Sequence, residues 1–348
     1  MCISLCMIVK DEENCLKRCL QSVQGLVSEI IIVDTGSKDS TREIAKQFTD
    51  KVYDFDWCND FSKARNFSLE KASNEWILVL DADEVVLEFY KDKVIDFIKA
   101  DESSVGRIKR INILEDNMGT KKFIERVNRL FNKKYYHYEG IIHEQVVSKR
   151  TKEYIMVNVD IVADHVGYTK EVINKTQKTH RNLELLHKSI KKDDKDPYLY
   201  YQLGKTYYLQ KNYNEAFNAF SQALSFNLNN RHEYVEDLVE TYGYCLLNAG
   251  RYEQALELKR YKDDYGRSLD YKFLMALIYM NNGVFEQAVR GFLDCIGESE
   301  GKIEGLNSYL SYYNVGVIYE CLGFKDEASF YYKQCGEYKP ALEALRRL

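Results

Sequence analysis

The sequence predicts two domains: an α/β domain built on a mostly parallel sheet with helices on both faces, and then an all-α domain of helical repeats. The chain has 348 residues, more than one hydrophobic core usually holds. Its first half alternates apolar segments with segments of helical periodicity, which is typical of a helix-covered parallel sheet. Its second half repeats one spacing of small residues. We predict a first domain at 1–168, a helical linker at 169–196 and repeats at 197–348.

The elements of the first domain are predicted from its hydrophobic pattern. Strands are predicted at 3–9, 29–34, 51–57 and 76–80, and helices at 13–24, 35–48, 61–72 and 84–98. Ser40 lies three residues before Glu43, the spacing of a capping box at the start of the second helix. Residues 105–165 are rich in β signals, so we expect mixed or antiparallel strands to extend the sheet.

The second domain is predicted from an internal repeat. A small residue is followed twelve positions later by alanine in four places: Gly204 and Ala216, Gly243 and Ala255, Ala276 and Ala288, Gly316 and Ala328. Small residues let two helices approach closely, and the spacing resembles that of the tetratricopeptide repeat. Four units exceed the three or so that a stable stack needs. The resemblance implies a groove that holds a partner, and a homodimer formed through the repeats.

Composition argues against several classes of protein. The net charge of −5 gives no reason to expect a nucleic-acid partner. The nine cysteines include no C-x-x-C pair, which favours a reduced, cytoplasmic protein over a disulfide framework. No apolar stretch is long enough to cross a bilayer, so we expect no transmembrane segment.

Two carboxylates one residue apart follow the predicted fourth strand, in "EWILVLDADE". Asp81 and Asp83 stand where a buried strand should surface, and ligands of parallel sheets gather at that end of the strands. Oxygen ligands suit a hard divalent cation such as Mg²⁺ or Mn²⁺. The alternative is that either aspartate caps the helix predicted at 84–98.

Three spaced motifs, "MIVKDEEN", "IIIVDTGSKDST" and "ILVLDADE", together with "ARN" at 64–66, resemble glycosyltransferase family 2, whose fold is called GT-A. The resemblance covers roughly residues 1–170 and implies a nucleotide diphosphate sugar as donor, with a UDP-linked sugar expected. The same resemblance implies the roles of several residues. Val9, Asp34, Arg65 and Asp81 would line the nucleotide, Asp83 would bind the metal ion, and His165 would be a further metal ligand.

The catalytic base is sought in "YYHYEGIIHEQV", which is similar to a segment of the subgroup that contains lipopolysaccharide-core enzymes and the bacteriocin S-glycosyltransferases. We expect Glu144 to be the base, with His143 as a helper or a substrate contact. The pair Glu115 and Asp116 is the rival, since adjacent Glu and Asp residues form a common base motif of the family.

The two halves together resemble the sublancin-type bacteriocin S-glycosyltransferases. We expect an inverting, metal-dependent enzyme that transfers one sugar, and an acceptor peptide, modified at Cys, Ser or Thr, that the repeats hold. The Q-x-x-R-W signature of processive synthases is absent from the sequence, which favours a single transfer. The alternatives are an enzyme that acts on lipopolysaccharide or another cell-surface glycan, and a non-catalytic repeat scaffold.

Overall fold

The computed structural model describes residues 2–116, 119–151, 154–165 and 172–348. The chain divides into two compact units, one formed by 1–114 and 122–171, the other by 115–121 and 172–348. The described residues up to 165 form ten strands and four helices. The strands are β1 (Ile3–Val9), β2 (Glu29–Asp34), β3 (Val52–Asp54), β4 (Trp76–Val79), β5 (Glu84–Phe89), β6 (Val105–Asp116), β7 (Gly119–Asn132), β8 (Tyr136–Glu139), β9 (Gln145–Ser148) and β10 (Met156–His165). The helices are α1 (Leu16–Val23), α2 (Thr41–Ala45), α3 (Phe61–Lys71) and α4 (Lys91–Ala100).

Eight of these strands form one mixed sheet in the order β3-β2-β1-β4-β7-β6-β10-β5. Strands β3, β2, β1 and β4 run parallel to one another, and β7 pairs with β4 in the antiparallel direction. Strands β8 and β9 form a separate hairpin sheet. The predicted α/β class and the mixed extension at 105–165 are therefore confirmed.

The centre of the sheet is apolar because its strands are covered on both faces. Every residue of β1 is buried except Ile8, which is partly exposed. Leu5, Leu78 and Leu130 are fully buried in the core, and each such side chain stabilises the fold by about 1.5–3 kcal/mol.

Two local predictions are wrong. The predicted capping box does not form, because the Ser40 side chain makes no capping hydrogen bond. Instead, the Asp39 carboxylate accepts a hydrogen bond from the backbone N–H of Thr41 at 3.0 Å.

The helix predicted at 84–98 begins as β5, which pairs antiparallel with β10, and only then continues as α4. Neither acid of the 81–83 pair therefore caps a helix. The paired edge strand overrode the helical periodicity because its backbone groups bond to β10.

From residue 172 onward, the second unit consists of helices and one 3₁₀ segment. They are α5 (Val172–Lys192), α6 (Pro197–Leu209), α7 (Tyr213–Leu224), α8 (Glu233–Asn248), α9 (Tyr252–Ala255), the 3₁₀ segment Leu256–Tyr261, α10 (Lys262–Tyr265), α11 (Leu269–Asn281), α12 (Phe285–Leu293), α13 (Tyr309–Cys321), α14 (Lys325–Lys333) and α15 (Lys339–Arg347). A Cβ atom added at Gly204 would lie 2.4 Å from the ring of Phe220, so only glycine lets α6 and α7 approach this closely. Gly316 meets Tyr332 in the same way between α13 and α14.

None of the helices in the described part of the chain is long and apolar enough to span a membrane. The domain limits 1–168, 169–196 and 197–348 stay predictions.

Candidate active site

The carboxyl ends of β1 and β2 bring the first two motifs together. Val9 lies opposite Asp34 in the parallel ladder, and the Val9 carbonyl accepts a hydrogen bond from the Thr35 N–H at 2.9 Å. The loops beyond are tied to each other, since Asp11 accepts from the Lys38 N–H at 2.7 Å. The two motifs therefore form one continuous edge of the sheet.

Asp34 shapes the turn that follows β2. Its carboxylate is almost fully buried and accepts hydrogen bonds from the backbone N–H groups of Gly36 at 3.3 Å and Ser37 at 3.2 Å. Nη1 of Arg42 lies 3.3 Å from the same carboxylate. Gly36 has a φ of 101°, which a glycine adopts without a steric penalty.

Asp81 lies between two buried arginines. Its Oδ1 accepts from Nη2 of Arg65 at 2.8 Å and its Oδ2 from Nη2 of Arg129 at 2.5 Å. Burial by itself would raise the pKa of Asp81, but the positive charges of Arg129 and Arg65 hold that pKa well below its usual range. Asp81 is therefore a carboxylate at any physiological pH.

Glu84 closes the turn after β4. It is fully buried, and its Oε2 accepts from the backbone N–H of Asp81 at 3.0 Å. Its Oε1 accepts from Arg129 at 2.9 Å and from Arg110 at 2.8 Å. The turn at 81–84 is thus held at both of its ends by buried charge pairs.

Asp83 lies between these two fixed ends and faces His165. The distance from its Oδ2 to Nε2 of His165 is 3.1 Å, and Nδ1 of His165 lies 2.7 Å from Oδ1 of Asn112. Burial works to lower the pKa of His165, but the hydrogen bond and charge of Asp83 more than offset this and raise it. The two predicted metal ligands are therefore in contact.

Two protein ligands are too few to fill the coordination shell of a divalent cation. Among the described residues, no group of three or more His, Cys, Asp or Glu side chains could hold a metal ion by itself. A cation held by Asp83 and His165 would therefore have to take its remaining ligands from water and from the phosphate oxygens of a donor, as Mg²⁺ commonly does.

Arg65 joins the turn at 81–84 to the predicted base. Its Nε donates to Oε1 of Glu144 at 2.5 Å, while its Nη2 bonds to Asp81. Its Nη1 is buried and has no hydrogen-bond partner among the described residues. An unsatisfied buried donor of this kind is costly unless a ligand pairs with it.

His143 precedes Glu144 with a φ of 52°, and its carbonyl accepts from the Gln145 side chain at 2.9 Å. The side chains of Glu115 and Asp116, the rival base pair, lie outside the described residues.

Sequence reasoning missed four residues of this site: Glu84, Arg110, Asn112 and Arg129. Glu84 was visible as the next acid after the pair. Arg129 and Arg110 gave a weaker signal, because charged residues alternating with apolar ones are equally typical of a solvated strand face.

Comparisons with known proteins agree with the two-part architecture. Residues 4–150 match Glycosyl transferase family 2, and residues 197–230 and 309–342 match tetratricopeptide repeats. The solved structure of glucosyl-3-phosphoglycerate synthase from Mycobacterium tuberculosis, in complex with Mg²⁺ and uridine diphosphate, covers 32% of this chain and 43% of that chain at 20% identity. Its TM-score is 0.26, and we draw no conclusion from it.

Two curated relatives are similar to this chain. A tetratricopeptide-repeat-containing protein of Synechococcus elongatus is 31% identical over 211 residues, which are 58% of this chain and 51% of that protein. The SPbeta prophage-derived glycosyltransferase SunS of Bacillus subtilis is 26% identical over 279 residues, 79% of this chain and 66% of that protein. This chain thus spans about half of the first relative and just under two thirds of the second. The expected resemblance is confirmed for the matched stretches: residues 4–150 match glycosyltransferase family 2, and residues 197–230 and 309–342 match tetratricopeptide repeats.

Proposed function

We propose that this chain is an inverting glycosyltransferase that moves one sugar from a nucleotide diphosphate sugar to an acceptor. The observation that carries the proposal is the position of Arg65 in a family 2 domain. It contacts Asp81, in the turn after β4, and the carboxylate of Glu144. A buried cation that joins two carboxylates at the end of parallel strands is a suitable place for a charged donor.

The donor is proposed to bind along the edge formed by β1, β2 and β4, with uridine diphosphate as its nucleotide. Val9 and Asp34 would contact the nucleoside, together with Asp81. The unsatisfied Nη1 of Arg65 supports this placement, because a carbonyl or phosphate oxygen of the donor would satisfy it.

Asp83 and His165 are the proposed ligands of Mg²⁺ or Mn²⁺. When bound, the cation would supply positive charge to the departing diphosphate. Asp83 contributes a negative charge that attracts the cation, and His165 is held by Asn112 with one ring nitrogen toward Asp83.

Glu144 is the proposed base. It takes the proton from a hydroxyl or thiol of the acceptor, whose oxygen or sulfur bonds to the anomeric carbon while the bond from that carbon to the diphosphate breaks. The nucleoside diphosphate leaves with the electron pair. Arg65 orients Glu144 through the hydrogen bond that its Nε donates to Oε1. His143, its neighbour in the chain, is a proposed substrate contact.

The proposed acceptor is a peptide, modified at Cys, Ser or Thr. Tetratricopeptide repeats present the first helix of each pair to a partner, and in α6 and α8 these helices carry the partly exposed Tyr208 and Tyr244. Homodimer formation through the repeats and a cytoplasmic location stay predictions.

The test uses the purified full chain and a panel of sugar nucleotides. Thermal shift and calorimetry are measured with Mn²⁺, with Mg²⁺ and with a chelator, and the release of nucleoside diphosphate is measured with and without Cys, Ser or Thr peptides. We expect metal-dependent binding of one donor and mass addition to a peptide. If no sugar nucleotide binds or is hydrolysed, the chain is the non-catalytic scaffold; if only glycan acceptors react, the peptide acceptor is wrong.

A further inference from the structure

We propose that Arg129 is the positioning residue of the turn at 81–84, and that it sets where the carboxylate of Asp83 lies. This inference rests on the proposed role of Asp83 in metal binding. Arg129 is not part of any motif from which the site was predicted, and it lies on β7, a strand outside the parallel part of the sheet.

The position of Arg129 follows from strand pairing. The ladder between β4 and β7 ends where Leu78 lies opposite Leu130. The next residue of β7 in that direction is Arg129, beside the point at which β4 leaves the sheet and enters the acidic turn. The register of two apolar strands thus places a cation against the turn.

One nitrogen of Arg129 holds both ends of the turn. Its Nη2 lies 2.5 Å from Oδ2 of Asp81 and 2.9 Å from Oε1 of Glu84. The same two acids are tied through the backbone, since the Glu84 N–H donates to the Asp81 carbonyl at 3.1 Å. Asp83 lies between these anchors, so its direction is determined by their positions.

The burial of Arg129 means that water cannot easily take over its contacts with Asp81 and Glu84. The guanidinium is 8% exposed and Glu84 is fully buried, so water offers little compensation if the cation is removed. Arg110 also contacts Glu84, but among the described residues Arg65 and Arg129 are the two arginines that contact Asp81. Without Arg129, the Asp81 and Glu84 carboxylates would repel each other with one cation fewer between them, and the turn would change shape.

The test measures Mn²⁺ binding to the full chain in the presence of uridine diphosphate, by the electron paramagnetic resonance signal of free Mn²⁺. We expect Arg129→Met to weaken Mn²⁺ binding at least tenfold in a chain that remains folded by circular dichroism. Arg129→Lys should recover part of the loss, because an ammonium restores the charge but not the planar guanidinium. Arg107→Met on β6, whose guanidinium donates to the Arg126 carbonyl, is the matched control and should bind Mn²⁺ like wild type.

The result that overturns the inference is wild-type Mn²⁺ affinity in Arg129→Met, whatever happens to its melting temperature. If Arg129→Met does not fold, wild-type affinity in a folded Arg129→Lys variant overturns it equally. Asp83→Ala separates the two proposals. If Asp83→Ala loses Mn²⁺ binding and the Arg129 variants bind Mn²⁺ normally, the positioning role alone is rejected. If Asp83→Ala itself binds Mn²⁺ normally, both the metal site and this inference are rejected.

Discussion

Ion pairs with carboxylates occur in both units of the molecule: arginines pair with the acids of the turn at 81–84, whereas a lysine pairs with acids of the repeats around Lys302. Around the acidic turn, Asp81 and Glu84 are held by guanidinium groups. In the repeats, Lys302 lies 2.5 Å from Glu240 and 4.0 Å from Asp237. The repeats also bury Asp270, which accepts from the backbone N–H of Lys302 at 2.9 Å.

The pKa values of Asp81 and Glu240 are shifted in opposite directions, whereas burial works to raise the pKa of Asp237 and the charges of Lys205 and Lys302 lower it. The arginines hold the pKa of Asp81 well below its usual range, so the turn keeps its charge for a cation or a donor. In the repeats, burial raises the pKa of Glu240 to about 8, and Lys302 offsets only part of that rise while Asp270 adds to it. Buried charge in the first unit is therefore suited to binding, and in the second it fastens the loop that carries Lys302 to α8 and α11.

The largest expected effect is the loss of sugar transfer when the proposed metal ligand of the first unit is removed. Asp83→Ala should lower transfer about a thousandfold, because a metal ion contributes several kcal/mol to stabilising the departing charge. Thermal unfolding should stay unchanged, since Asp83 is not one of the anchors of the turn. Turnover and metal-dependent donor binding are the measurements, with the exposed Asp50→Ala as control. Turnover like that of wild type would remove Asp83 from the metal site.

Glu144→Gln should separate donor binding from chemistry in the same unit. We expect kcat to fall about 10²- to 10⁴-fold, the usual contribution of a general base. The affinity for the donor should stay nearly intact, because the amide oxygen of glutamine still accepts from Arg65. Steady-state kinetics and calorimetry measure the two quantities. If Glu115→Gln or Asp116→Asn gives this split instead, the base has been assigned to the wrong residue.

Gly204→Ala tests the structural side of the comparison. The added Cβ would lie 2.4 Å from the Phe220 ring, and overpacking of this kind costs about 1–3 kcal/mol. Chemical denaturation should show this loss while donor affinity is retained. The double variant Gly204→Ala with Phe220→Leu should recover part of the loss. An unchanged unfolding midpoint in the single variant would mean that α6 and α7 do not pack as closely as described.

The smallest effect concerns pH. The pKa of Glu240 is about 8 in the folded chain, above the ordinary value of 4.5. The folded state therefore binds more protons between these values, and the free energy of unfolding should fall as the pH rises from about 4.5 through 8. Glu240→Gln should flatten this part of the profile, measured by denaturation at several pH values. If the free energy of unfolding of Glu240→Gln falls with pH as steeply as that of wild type, a group other than Glu240 is responsible for the slope.

Local pattern was enough for much of the fold. The limits of β1 and β2 were predicted to the residue, because continuous apolar runs between polar loops leave little choice of register. The repeats were predicted from a spacing of small residues that close helix packing requires. The prediction of a helix at 84–98 was wrong over its first residues. Periodicity along the chain cannot show that Glu84–Phe89 will pair with the distant strand β10.

By itself, the sequence determined the order of the first four strands, the repeats, and the acids that end β2 and follow β4, because these depend on hydrophobic periodicity and local spacing. Only the tertiary structure decided which partners those acids have. Arg129 is 48 residues from Asp81 in the chain, and Glu144 is 79 residues from Arg65. Contacts at such separations depend on strand register, which a local pattern does not encode; the roles of individual acids in the turn at 81–84 therefore follow from the fold.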